Sequence, residues 1–125
     1  MMNDDIYQKI YDLLSSVLPN KWDKLVFYVE YVDNSYQMKF FIKNGKGKYI
    51  DCYEIVKDTK QLIRVFNGIH QVVYLERNKL SKKDKWTVLT YILTSDGDFN
   101  TYFDYSDHHN NMIGWEADWM KTYLK

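Results

Sequence analysis

Between residues 24 and 43 the side chains alternate with a period of two, and that alternation constrains the fold more than any other feature of the chain. Leu25, Phe27, Val29 and Tyr31 stand against Val26, Tyr28, Glu30 and Val32, and after a turn signal at Asp33-Asn34-Ser35 the pattern resumes with Met38, Phe40 and Ile42 against Gln37 and Lys39. Runs rich in aromatic and β-branched residues, broken by residues that favour turns, predict an antiparallel pair of strands. Asn44-Gly45-Lys46-Gly47 supplies the next turn, because Asn and Gly tolerate positive φ, and a third strand is expected over residues 48–54.

The period then changes. Leu62, Phe66, Ile69, Val73 and Leu80 recur at helical spacing and predict a long helix over residues 58–81, with Gly68 its weak position. Alternation returns over residues 86–94 and 99–105, joined by Ser95-Asp96-Gly97-Asp98, which predicts a second hairpin. Helical spacing frames both ends of the chain. Ile6, Ile10, Leu13, Leu14 and Val17 form an opening helix with Asn3 as its N-cap and Asp4 and Asp5 at its positive end, stopped before Pro19; Trp115, Trp119 and Tyr123 mark a closing one. The order α-β-β-β-α-β-β-α predicts an α+β fold, an antiparallel sheet with helices packed on it, rather than a doubly wound parallel sheet.

With 125 residues the chain has room for one domain and one core, so residues 1–125 are expected to form a single domain. No apolar run approaches the roughly 20 residues that a membrane helix needs. The Met1-Met2-Asn3-Asp4-Asp5 start lacks the basic-then-apolar layout of a signal peptide, and Cys52 is the single cysteine. The expected location is the cytoplasm, with Cys52 a buried small hydrophobe in a strand.

Catalytic signatures are missing: the sequence contains no Gly-x-Ser-x-Gly, no Cys-x-x-Cys and no Ser-x-x-Lys. Gly45 and Gly47 open no helix, which argues against a phosphate-cradling loop. His108 and His109 are adjacent, whereas zinc sites draw ligands from spaced pairs. Asp96, Asp98 and Asn100 imitate the start of a calcium loop, but Thr101 stands where the loop needs Gly and Asp107 where it needs a bidentate Glu. These observations imply neither a metal nor a cofactor, and a chain that is not an enzyme.

Charge is zero overall but unevenly placed. Residues 57–85 carry Lys57, Lys60, Arg64, Arg77, Lys79, Lys82, Lys83 and Lys85, scattered along the predicted helix and gathered at its end. A nucleic-acid or regulatory adaptor would use this stretch, yet recognition needs basic residues on one face with stacking aromatics, and none interleave there in that way. From Asp96 to Asp118 the balance reverses, with six acidic residues, no Lys or Arg, and Phe99, Tyr102, Phe103, Tyr105 and Trp115 among them. Acidic surface with aromatic anchors suits capture of a basic protein, charge speeding the encounter and aromatics holding the complex. Asp98, Tyr102, Asp104, Asp107, His108 and Glu116 are the candidate contacts.

The order of short segments adds a resemblance. Ile6-Tyr7-Gln8-Lys9-Ile10 opens the chain, Leu18-Pro19-Asn20-Lys21-Trp22-Asp23-Lys24 leads into Val26-Phe27-Tyr28-Val29-Glu30, and Trp86-Thr87-Val88-Leu89-Thr90 follows. Gly97-Asp98-Phe99-Asn100, Phe103-Asp104-Tyr105 and Trp115-Glu116 complete the set, so that the chain resembles the YezG-like immunity proteins of bacteria over nearly its whole length. The resemblance implies an α+β fold, no catalytic activity, and tight binding to the C-terminal domain of a cognate secreted toxin; it does not fix the toxin's chemistry, for which a nuclease is the expectation.

Overall fold

The computed structural model describes residues 4–33, 35–107 and 112–125. Within them lie helix α1 (Asp4–Ser15), strands β1 (Lys24–Val32), β2 (Ser35–Lys43) and β3 (Ile50–Asp51), helices α2 (Cys52–Ile55) and α3 (Thr59–Asn78), strands β4 (Val88–Thr94) and β5 (Phe99–Asp104), and helix α4 (Met112–Tyr123). The fold is α+β in the expected element order, with the single turn of α2 added. Asn3 as an N-cap, Asn34 in the first turn, and the His108-His109 pair fall outside the described residues.

All five strands join one antiparallel sheet in the order β3-β2-β1-β4-β5. The two hairpins meet at β1, which pairs Tyr28 with Lys39 of β2 on one side and with Thr90 of β4 on the other. β1 is therefore the central strand, and Leu25 through Val32 are all buried. Both faces of this strand are covered, so its sequence reads as a nearly continuous apolar run in which period two is only just visible. β5 closes the sheet as an edge strand, joined to β4 through a turn in which Gly97 takes φ +97°, a conformation that suits glycine. Asp33 takes φ +54° where the β1–β2 pairing ends at Val32 and Ser35.

The third strand is shorter than the expected 48–54. Only Ile50 and Asp51 join the ladder, opposite Ile42 and Phe41, and Cys52 already belongs to α2. Four residues of mixed polarity such as Cys52-Tyr53-Glu54-Ile55 fit one helical turn as readily as a strand end, which is why period alone does not separate them. Cys52 is nonetheless a fully buried free thiol, as its sequence context implied. Burial pushes it up to about 12, so it is protonated and a poor nucleophile at neutral pH.

Close contacts divide the chain into two compact units, which exchange after Asn20, Cys52 and Lys85. One contains the sheet and α4. The other contains α1 and α3, which pack on each other. α1 buries Ile6, Ile10 and Leu14 on one stripe, and α3 buries Leu62, Val65, Phe66, Ile69 and Val73. Gly68 lies where α3 meets α1: a Cβ there would approach Leu13 Cδ2 to 3.2 Å, so the bare glycine lets the helices come close. Asp58 caps α3, its Oδ1 accepting from the backbone N–H groups of Lys60 at 3.1 Å and Gln61 at 3.3 Å. Asp58→Ala is expected to cost about 1 kcal/mol in urea or thermal unfolding, the usual value for a lost cap, with Asp58→Asn nearly neutral.

Candidate functional site

Pleating decides which side chains share the α4 face of the sheet. Tyr28 and Val26 of β1, Phe41, Lys39 and Gln37 of β2, Val88 and Thr90 of β4, and Tyr102 and Asp104 of β5 all point to it, because each pair stands in register or two residues apart. α4 answers with Trp115 and Trp119, four residues apart and therefore on one helical stripe. Both are buried against Val26, Tyr28, Phe41 and Val88. The rings of Tyr28 and Trp119 lie 4.6 Å apart and those of Tyr28 and Trp115 5.3 Å, the latter edge to face. The Trp119 indole N–H donates to Thr90 Oγ1 at 2.9 Å, which satisfies two polar groups inside this apolar cluster.

A polar clasp holds α4 along the flank of this stripe. Glu116 Oε2 accepts from the Tyr28 hydroxyl and from Gln37 Nε2, the latter at 2.9 Å, and Gln37 also donates to the Tyr28 oxygen at 2.8 Å. Lys39 Nζ stands 3.6 Å from Glu116 Oε1 and 3.8 Å from the Asp51 carboxylate. Tyr28 is fully buried, and burial first, then the Glu116 carboxylate, pushes its hydroxyl far above the usual tyrosine range. It stays a protonated donor at every physiological pH.

Over β4 and β5 the helix leaves a gap. Tyr102 and Asp104 of β5 form one wall of a groove, Asp118, Trp119 and Tyr123 of α4 the other, and Thr90 lies at its floor. Its volume is about 220 Å³. Drug-sized ligands and cofactors occupy roughly 300–1,000 Å³, so this groove has room for a side chain rather than a cofactor. Two carboxylates and five aromatic residues line it, and no Lys or Arg does so among the described residues. Tyr102 is exposed at its rim; Phe99 is exposed on the opposite face of β5, its ring 4.8 Å from that of Tyr91, and Tyr105 is exposed just beyond the strand. No three His, Cys, Asp or Glu side chains gather into a metal-binding group among the described residues.

The residues singled out in the sequence fall in different places. Tyr102 and Asp104 meet in the groove. Asp98 lies in the β4–β5 turn, its backbone N–H accepted by Thr94 Oγ1 at 3.0 Å, and Asp107 is exposed after β5. Glu116 is half-buried over β1 and β2, within the clasp. His108 lies outside the described residues. Sequence reasoning missed Asp118, Trp119 and Tyr123 as partners of Tyr102 and Asp104; the only sign was the four-residue spacing of Trp115, Trp119 and Tyr123, which marks a buried stripe without saying what it faces. The basic residues do not gather in the same way. Arg64 and Arg77 are roughly 140° apart around α3 at about 100° per residue, Lys79 pairs with Glu76 at 3.0 Å, and Lys82, Lys83 and Lys85 follow the helix.

Tyr28→Phe keeps the ring contacts and removes the donor to Glu116, and the expected cost is about 1.5–3 kcal/mol, the range for a hydrogen bond to a charged group. The gap between the two proteins is expected to narrow as pH rises past 10, the ordinary tyrosine value. There the unfolded tyrosine ionises while the folded one holds its proton, so the wild type loses stability that the Phe variant never had. Urea unfolding of both proteins on either side of that pH checks it; a constant gap would contradict a protonated, buried Tyr28.

Comparison with known proteins agrees with this architecture. A family model described as Immunity protein YezG-like matches residues 3–125. Immunity protein YezG of Bacillus subtilis (strain 168) is 28% identical over 111 residues, covering 82% of this chain and 73% of that protein. Immunity protein YezG of Bacillus spizizenii (strain ATCC 23059 / NRRL B-14472 / W23) is 25% identical over 114 residues, covering 82% and 68%. A protein named Type VII secretion system protein EsaG, from Staphylococcus aureus (strain NCTC 8325 / PS 47), is 28% identical over 117 residues, covering 87% and 71%. The match runs through the strands and helices that build the groove, and the chain belongs to the YezG-like immunity protein family.

Proposed function

We propose that this protein is an immunity protein that binds the C-terminal domain of a secreted bacterial toxin in the cytoplasm and neutralises it by occlusion, without catalysis of its own. The observation that carries the reading is the β5 edge with its groove: exposed Tyr102 beside Asp104 and Asp118, with Phe99 exposed on the other face of the same edge strand and Tyr105 just beyond it. Aromatic anchors surrounded by charge of one sign are what a protein interface uses for hold and for steering. Relatives named immunity proteins supply the biological setting, and one relative is named as a secretion-system protein.

A nuclease is the toxin class that fits best. Enzymes that grip nucleic acid carry positive surface to neutralise phosphates, and an acidic face competes for that same surface. No helix among the described residues is long and apolar enough to cross a membrane, in keeping with a partner met in water. In the proposed complex Tyr102, Asp104, Asp98 and Asp107 face the toxin, and His108 is a further candidate contact. Glu116 acts from α4 through its grip on Tyr28 and Gln37 of the sheet, which holds the helix that forms one wall of the groove.

Co-expression tests the reading. The toxin domain captured with the tagged protein from its host and identified by mass spectrometry is expected to arrest growth alone and to be tolerated when this protein is co-expressed. Continued arrest would overturn an immunity role. Reversal of Asp104 and Asp107 to Lys is expected to slow association at least about tenfold at low ionic strength, with the difference shrinking toward 1 M salt, where the screening length falls to about 3 Å. Equal rates at low salt would remove the acidic face from the interface.

A further inference from the structure

The groove has a more specific chemistry than an acidic patch. Its aromatic side is continuous: the Tyr102 and Tyr123 ring centroids are 5.5 Å apart, those of Tyr123 and Trp119 also 5.5 Å, each pair tilted by 42°. Three π faces and edges thus line one cleft, and the Trp119 ring is locked by its hydrogen bond to Thr90. Asp104 comes from the strand wall and Asp118 from the helix wall. The backbone N–H of Ser106 donates to Asp104 Oδ1 at 2.8 Å, which fixes that carboxylate. The Tyr123 hydroxyl is pushed up, chiefly by burial, then by Tyr102 and Asp104, which places the negative field of Asp104 inside the groove.

These features select an occupant. An aliphatic side chain would strip water from two carboxylates and return nothing for it. A phosphate or carboxylate would meet two like charges. A cation is attracted to ring faces within roughly 6 Å and to both carboxylates at once, and a planar guanidinium can stack on a ring while its edge donates to two acceptors, which a compact ammonium cannot do. A cleft of about 220 Å³, below the roughly 300 Å³ of small-molecule pockets, limits the occupant to one side chain.

We propose that the groove between β5 and α4 is a receptor for a single arginine side chain of the partner toxin, stacked against the Tyr102 and Tyr123 rings and bridged by Asp104 of the strand wall and Asp118 of the helix wall. This deepens the immunity reading and rests on it for the identity of the partner. It does not rest on it for the chemistry of the cleft, which belongs to this chain alone. An arginine seated there would be the hot spot of the complex, central and desolvated between the β5 and α4 walls.

The test uses the free protein and the tripeptide Gly-Arg-Gly, amidated and acetylated, with the citrulline tripeptide as an uncharged isostere. In a two-dimensional NMR titration, saturable shifts are expected at Tyr102, Asp104, Trp119 and Tyr123 with the arginine peptide, at least about tenfold weaker with the citrulline peptide. The double variant Asp104→Asn, Asp118→Asn keeps the size and shape of both side chains, and its spectrum reports whether it is folded. It is expected to lose the arginine response. Equal response to citrulline, shifts spread away from the groove, or an unchanged response in a folded double variant would each overturn the receptor. Failure of the immunity reading looks different: the arginine response would persist while co-expression gave no protection. Failure of the receptor alone would leave protection intact and the toxin's affinity unchanged in the double variant.

Discussion

The burial of Trp119 over Tyr28 is the contact on which the groove depends. α4 touches the sheet through two tryptophans, and Trp119 meets both the aromatic ring of the central strand and the hydroxyl of Thr90 on its neighbour. That contact sets where the helix axis lies. With Trp115 and Trp119 seated over β1, β2 and β4, the helix stops short of the edge strand and leaves β5 to form the far wall of an open cleft. The Glu116 clasp to Tyr28, Gln37 and Lys39 opposes any rotation of α4 about that aromatic pivot. Two different kinds of interaction, apolar along the tryptophan stripe and polar on its flank, fix its roll.

The ionisable groups that a search for catalysis would pick out first have structural occupations. Tyr28 is a permanent hydrogen-bond donor, because its anion would be buried beside a carboxylate. Cys52 is a buried thiol held well above neutrality. Glu116 shares its proton acceptors among three partners. What the surface offers in their place is shape and charge: an edge strand, exposed aromatics, and carboxylates on two separate elements. Those are the materials of recognition, and they agree with membership of an immunity family.

Element order was legible in the sequence because long alternating and helical stretches each bury a face of their own, and the period records it. Sheet order was less so. That β1 joins both hairpins depends on the pairing of Tyr28 with Thr90, more than sixty residues away, and no local pattern encodes such a pairing. The end of β3 was lost because Cys52-Tyr53-Glu54-Ile55 has no periodic preference at that length. In the site, Tyr102 and Asp104 could be read from alternation along one strand. Asp118, Trp119 and Tyr123 could not be joined to them, since the helix that carries them is positioned by Tyr28 and Thr90, on strands far earlier in the chain. Glu116 illustrates the reverse case: an acid on a helix reads as solvent-facing until the fold sets a buried tyrosine beneath it.

Hydrogen–deuterium exchange of the protein, alone and bound to its captured toxin domain, addresses the central claim most directly. If the β5–α4 groove is the recognition site, slowed exchange will concentrate in the backbone of β5 and along α4, with α3 unaltered. Protection confined to α3 and the basic residues that follow it, with β5 and α4 exchanging as in the free protein, would contradict the account.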